Sequence, residues 1–150
     1  MKTEVRRIQD QLRRSFEGGA WHGPSLSEIL NRVKVSEVDS RPFPETHTIR
    51  EIVTHILVWE EEAMERLKGG GHRDLPPERD WPDGDTWAEL LRRAVEVHRA
   101  LVATVGELED SRLEDEVPGD PPTVYHLLHG IVQHTLYHAG QIALLTKAVS

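Results

Sequence analysis

The sequence predicts an all-α protein, a four-helix bundle with one short extra helix, on three observations. Four long segments carry apolar residues at three- and four-residue spacing behind a capping residue or a charged start. No segment alternates apolar and polar residues for more than a few positions, so strand signals are scarce. The connections hold the glycines and prolines that stop helices. At 150 residues the chain reads as one domain over residues 1–150, long enough to bury a real core.

Residues 3 to 17 form the first helix, with Val5, Ile8, Leu12 and Phe16 as its inward stripe and Gly18-Gly19 as its stop. Trp21-His22-Gly23-Pro24 is a turn. Ser25 with Glu28 three residues on is a capping box for a short helix that turns Leu26, Ile29, Leu30 and Val33 inward. Residues 36 to 47 are a polar connection broken by Pro42 and Pro44.

Thr46 or Thr48 caps the second long helix, which ends at the glycines 69 to 71. Its inward stripe is Ile52, His55, Ile56, Trp59, Ala63 and Leu67, and Glu60, Glu61 and Glu62 are read as its solvated side. The stretch from Gly70 to Asp85 is a loop on its glycine and proline content. Asp85 is expected to cap the third long helix, with Trp87, Leu91, Val95, His98, Leu101, Val102 and Val105 inward. An acidic, proline-bearing loop, EDSRLEDEVPGDPP, leads to Thr123, the cap of the fourth.

Composition removes several function classes. The net charge is −8 and no basic cluster lacks interleaved acid, which disfavours binding nucleic acid through its phosphates. The absence of cysteine excludes disulfides, Cys-ligated zinc and a thiol nucleophile of the protein's own. No run resembles the apolar stretch of a signal peptide or approaches bilayer-spanning length, so a soluble cytoplasmic protein without a membrane partner is expected.

Nine histidines are many for a chain this short, and three of them replace aliphatics on inward stripes of the second and fourth long helices. Along the fourth, the steps Leu127, Ile131, His134, His138, Ile142 and Leu145 lie on one face. A neutral imidazole buried among leucines must hydrogen-bond or coordinate something. Two stacked on one inward face are half of a metal site, or else a pair of satisfied core histidines. Bundles build metal sites from facing helices, and His55 with His134 and His138 would leave a fourth position open, the pattern of a catalytic rather than a structural ion.

His98, on the third helix, is a candidate partner behind the ligands or a hydrogen-bonded core histidine; Gln141 and Tyr137 are candidates to orient a ligand or water. His126 and His129 read as surface or loop contacts, His47 as able to approach the site's mouth, and His22 and His72 as turn and loop residues. Trp21, Trp59, Trp81 and Trp87 wall a pocket or fill the core.

In pattern and order the chain resembles the DinB/YfiT-like family over essentially its whole length. The resemblance rests on AWHGPSLSEIL, THILVWEEEAMERL, HRALVATVGEL and HGIVQHTLYHAGQIALL, the H-x-x-x-H-x-G-Q-I segment being the most specific. It implies an up-down-down-up bundle, frequent homodimers, and a divalent metal, usually zinc or nickel, on His55, His134 and His138. It also implies a metal-dependent enzyme acting on a small molecule. That enzyme would be an S-transferase using a low-molecular-weight thiol such as bacillithiol or mycothiol, or a hydrolase; the alternative is a non-catalytic metal-binding or structural dimer. Arg50, Arg66 or Arg92 would meet a thiol's acidic groups.

Overall fold

The structure is a computed structural model that describes residues 2–119 and 123–150. The Pro121-Pro122 end of the acidic loop lies outside the described residues. Helices α1 (Glu4–Phe16), α3 (Ile49–Leu67), α5 (Trp87–Gly106) and α6 (Val124–Val149) are the long ones. Short helices α2 (Leu26–Leu30) and α4 (Pro77–Asp80) sit in connections, with 3-10 turns at Val35–Glu37 and Asp110–Glu114.

Each start is fixed chemically. Ser25, Thr48 and Thr86 make complete capping boxes with Glu28, Glu51 and Glu89, while Thr3 and Thr123 accept from the amides of Arg6 and His126. Thr86 thus replaces Asp85 as the cap of α5, because its hydroxyl reaches the Glu89 amide while Asp85 pairs with Arg93. The buried face of α5 also differs from expectation. Trp87, His98, Leu101 and Val105 are buried as expected, but Leu90, Ala94 and Val97 take the places expected of Leu91 and Val95. Leu91 and Val102 are half-buried, and Val95 is exposed.

The long helices contact in the order α1–α5–α3–α6 around the bundle. Gln9 donates to the Val102 carbonyl and Asp110 accepts from the Val5 amide, so α1 and α5 are antiparallel. Ile52 meets Leu145 and Trp59 meets His134, so α3 and α6 are antiparallel too. Arg50 reaches the Asp85 carbonyl and Glu60 reaches His98, so α3 runs parallel to α5. Ile8 and His129 line one surface hollow, and Phe16 and Ala139 belong to the same core cluster, which makes α1 parallel to α6. The result is the up-down-down-up bundle.

Parallel neighbours force a long return. The connector from Leu67 to Trp87 must travel back along α3, and its 19 intervening residues replace a tight turn. It begins pinned to Arg66, which is 2% exposed, pairs with Glu62 at 3.0 Å and donates to the His72 carbonyl. Gly71 and Gly119, both at positive φ, lie so close to this pair that a Cβ would meet Arg66 at 2.7 Å.

The apolar core falls into two clusters separated by a polar level. On α3 the clusters take residues up to Leu57 and from Ala63, with Glu60 between; on α5 they flank His98; on α6 they flank Thr135 and the two histidines. Glu60 and His98 are each 1% exposed and meet at 3.3 Å, with Phe16 stacked on the imidazole. The expectation that Glu60, Glu61 and Glu62 form a solvated side is therefore corrected. Glu60 and Glu62 are buried against His98 and against Arg66 with His72, and Glu61 is half-buried in a pair with Arg93.

Candidate metal centre

Three imidazoles converge at the polar level. His55 from α3 and His138 from α6 are 6% and 7% exposed, and His134, one turn before His138, is half-buried. One ring nitrogen from each lies within 4.8 Å of the others. The Nε2 atoms of His55 and His134 are 2.9 Å apart, and the rings sit 4.4 to 4.8 Å between centroids.

Two of the outward nitrogens have oxygen partners. His55 Nδ1 is 3.0 Å from both the backbone carbonyl and the Oδ1 of Asp80, so it donates there and its Nε2 is the nitrogen turned inward. His138 Nδ1 donates to Gln141 Oε1 at 2.6 Å, which likewise turns a lone pair inward from Nε2. Asp80 Oδ1 is itself fixed by the Trp59 indole N–H at 2.7 Å. Burial, with the neighbouring His138 and His55, pushes His134 down to about 3. Burial also lowers His138, although the Gln141 hydrogen bond opposes the shift. Both are therefore neutral near neutrality, the protonation state that a metal ligand needs.

Donor chemistry and spacing both fit a divalent ion. A tetrahedral ion bound by imidazole nitrogens sets them about 3.3 Å apart, a value bracketed by the 2.9 Å pair and the 4.8 Å bound. An outward N–H held by a carboxylate or amide oxygen is the usual support of a metal-binding histidine. His55, His134 and His138 would hold the ion, with Asp80 and Gln141 orienting two of them.

The connector supplies the cover. Trp81 stacks on His55 with centroids 3.9 Å apart and planes 3° from parallel, and His47 stacks on its other face at 3.5 Å. His47 therefore does approach the mouth. Asp80 is the residue that sequence reasoning missed as part of the site, while Trp81 takes the pocket-wall place expected of one of the tryptophans. Asp80 ends the short helix α4 inside the connector, 25 residues from His55, so local spacing carries no sign of its place at the site.

The other candidates separate. Gln141 touches His138 directly, and Tyr137, 66% exposed, only edges its ring at 5.1 Å. His98 is the hydrogen-bonded core histidine, held by Glu60. His72 is not simply a solvated loop residue: its amide and Nδ1 contact Glu62. Trp59 and Trp81 wall the site, Trp87 is core, and Trp21 is fully exposed. Arg66 is buried and Arg50 is committed to Asp39 and the Asp85 carbonyl, so neither offers a free guanidinium to a ligand.

An all-helical bundle with three convergent histidines on facing helices defines a class of small proteins with a potential metal centre. This chain belongs to the DinB superfamily, whose family model matches residues 20–142. A crystal structure described as a conserved protein of locus from Enterococcus faecalis is similar in fold, with a TM-score of 0.68 at 17% identity over 99% of this chain and 98% of that one. No functionally curated protein matches the chain. Among the described residues no helix is long and apolar enough to cross a membrane.

Proposed function

We propose that the protein is a divalent-metal-dependent enzyme, with zinc or nickel on His55, His134 and His138, that joins a low-molecular-weight thiol to a small electrophile. The observation that carries this reading is the opposed arrangement of the ring nitrogens: the Nδ1 atoms of His55 and His138 rest on oxygens of Asp80 and Gln141, while one ring nitrogen from each of the three histidines converges within 4.8 Å. A bound ion there would supply positive charge that lowers the pKa of a thiol or water and polarises an electrophile. The three ligands come from one side of the bundle core and leave coordination positions for small molecules.

Thiol transfer is favoured over hydrolysis by the state of the nearest carboxylate. Asp80 already accepts from Trp59 and His55, so it is not free to take a proton from water. A thiol acidified by the ion needs no separate base, and with no cysteine in the chain the thiol has to be a co-substrate. His134 and His138 remain neutral through burial, and Trp81 shields His55 from bulk water. A homodimer fits the exposed Trp21 and the apolar groove beside it, lined by Ile29, Ala139 and Ala143; sedimentation at rising concentration tests it.

The functional test loads the protein with zinc or nickel and pairs thiols with chromogenic electrophiles. Metal-dependent product formation that disappears in His134→Ala supports the reading. A fully loaded protein that accelerates neither thiol transfer nor ester hydrolysis contradicts it and leaves a metal-binding bundle without turnover.

A further inference from the structure

One helical turn beyond the three histidines, between the N-terminal end of α3 and the C-terminal end of α6, lies a cavity of about 240 Å³. Phe43, Ile52, Leu144 and Leu145 form its apolar walls, and His47 and Gln141 face it from the side of the site. Both polar residues are tied to the candidate ligands: Gln141 accepts from His138, and His47 stacks on the Trp81 that stacks on His55. We infer that this cavity is the substrate subsite of the centre and takes an uncharged, apolar group the size of one substituted ring. The inference rests on the reading of the three histidines as a metal-dependent reaction centre.

Size, polarity and charge each contribute. At the packing density of protein interiors the volume admits roughly ten to twelve heavy atoms. Phe43 and Leu144 are 52% and 67% exposed and so present apolar surface at the cavity's opening. The charges around the cavity disfavour an anion. Glu45 is on the rim, and Glu51 faces His47 at 3.4 Å. The nearby cations are occupied: Arg41 donates to the Thr46 carbonyl and to Glu51, and Arg50 is paired with Asp39. An entering carboxylate would lose its hydration without finding a free cation, whereas an uncharged ring replaces water against the apolar walls. The groove between α2 and α6 is larger, but Arg32 and Lys147 on its lining would favour an anion, and it does not border Gln141 or His47.

The test uses zinc-loaded, ¹⁵N-labelled protein with two probes of nearly equal size, nitrobenzene and 4-nitrobenzoate, followed by amide chemical shifts. Nitrobenzene is expected to move the amides of Ile52, Gln141 and Leu145 saturably, and 4-nitrobenzoate to bind about tenfold more weakly or less. Leu144→Glu, at an exposed position, should abolish the nitrobenzene shifts while keeping the zinc content and melting temperature of the parent. Shifts confined to the α2–α6 groove, equal affinity for the anion, or unchanged binding by Leu144→Glu would each overturn the inference. Zinc content is measured on the same samples. Zinc retained without probe binding refutes the subsite alone, whereas no zinc in the parent refutes the reaction-centre reading and the subsite with it.

Discussion

Replacing Asp80 separates a working metal support from an incidental loop contact. Asp80 Oδ1 accepts from both His55 Nδ1 and Trp59 Nε1, at 3.0 and 2.7 Å. In Asp80→Ala only the backbone carbonyl of residue 80 remains beside His55, so the imidazole loses a carboxylate that raises its basicity and holds its orientation. Loss of such a partner costs about 10- to 100-fold in metal affinity, or about 1.4–2.7 kcal/mol. Asp80→Asn can keep both hydrogen bonds through its amide oxygen and gives up only the charge, so its loss should lie near the lower end. The assay is competition for zinc against a chromogenic chelator, with melting temperatures recorded with and without zinc. The alanine variant should lose affinity and most of the zinc-induced gain in melting temperature, and the asparagine variant should fall between it and the parent. Zinc bound by Asp80→Ala within about twofold of the parent would refute the argument, because a support that matters cannot be removed without effect.

Three further outcomes follow from the interior. Glu60→Ala should cost about 1–3 kcal/mol in urea denaturation by leaving the buried His98 ring without its hydrogen-bond partner, whereas Glu60→Leu with His98→Leu should recover most of that loss; a double variant as unstable as the single one contradicts the pairing. The metal-free protein should lose stability on mild acidification. His134 is held at about 3 when folded and returns to about 6.5 when unfolded, so between those values the unfolded chain binds more protons and stability falls as pH falls. From about pH 7 to about pH 5 that amounts to about 2 kcal/mol, and a His134→Gln variant with an undiminished slope would contradict it. Thr86→Ala should cost about 1 kcal/mol through the lost cap and Asp85→Ala about half that, from a partly exposed ion pair; the reverse order in thermal melts would restore Asp85 as the cap.

The legible parts of the molecule were those with short-range causes. The caps at Ser25, Thr48 and Thr123 and the stripes of α1, α3 and α6 depend on partners within a turn or two, so spacing alone locates them. His55, His134 and His138 stood out because imidazoles interrupt otherwise aliphatic faces, and the fold brings those three together. On α5 two apolar stripes overlap, and packing against α1 and α3 selects Leu90, Ala94 and Val97 where spacing favoured Leu91 and Val95. Glu60 was misread because its partner His98 lies 38 residues away. Glu62 was misread although Arg66 is only four residues on, since i,i+4 pairs usually sit at the surface. Asp80 and Trp81 reach the site only because α3 and α5 are parallel and their connector has to return along the bundle, a consequence of topology.

The most direct test of the central claim is the metal content of the purified protein beside that of His134→Ala. About one divalent ion per chain in the parent, lost in the variant, is the result that three convergent imidazoles require. A parent that stays free of metal after incubation with zinc and with nickel would contradict the centre and reduce its histidines to hydrogen-bonded members of the core.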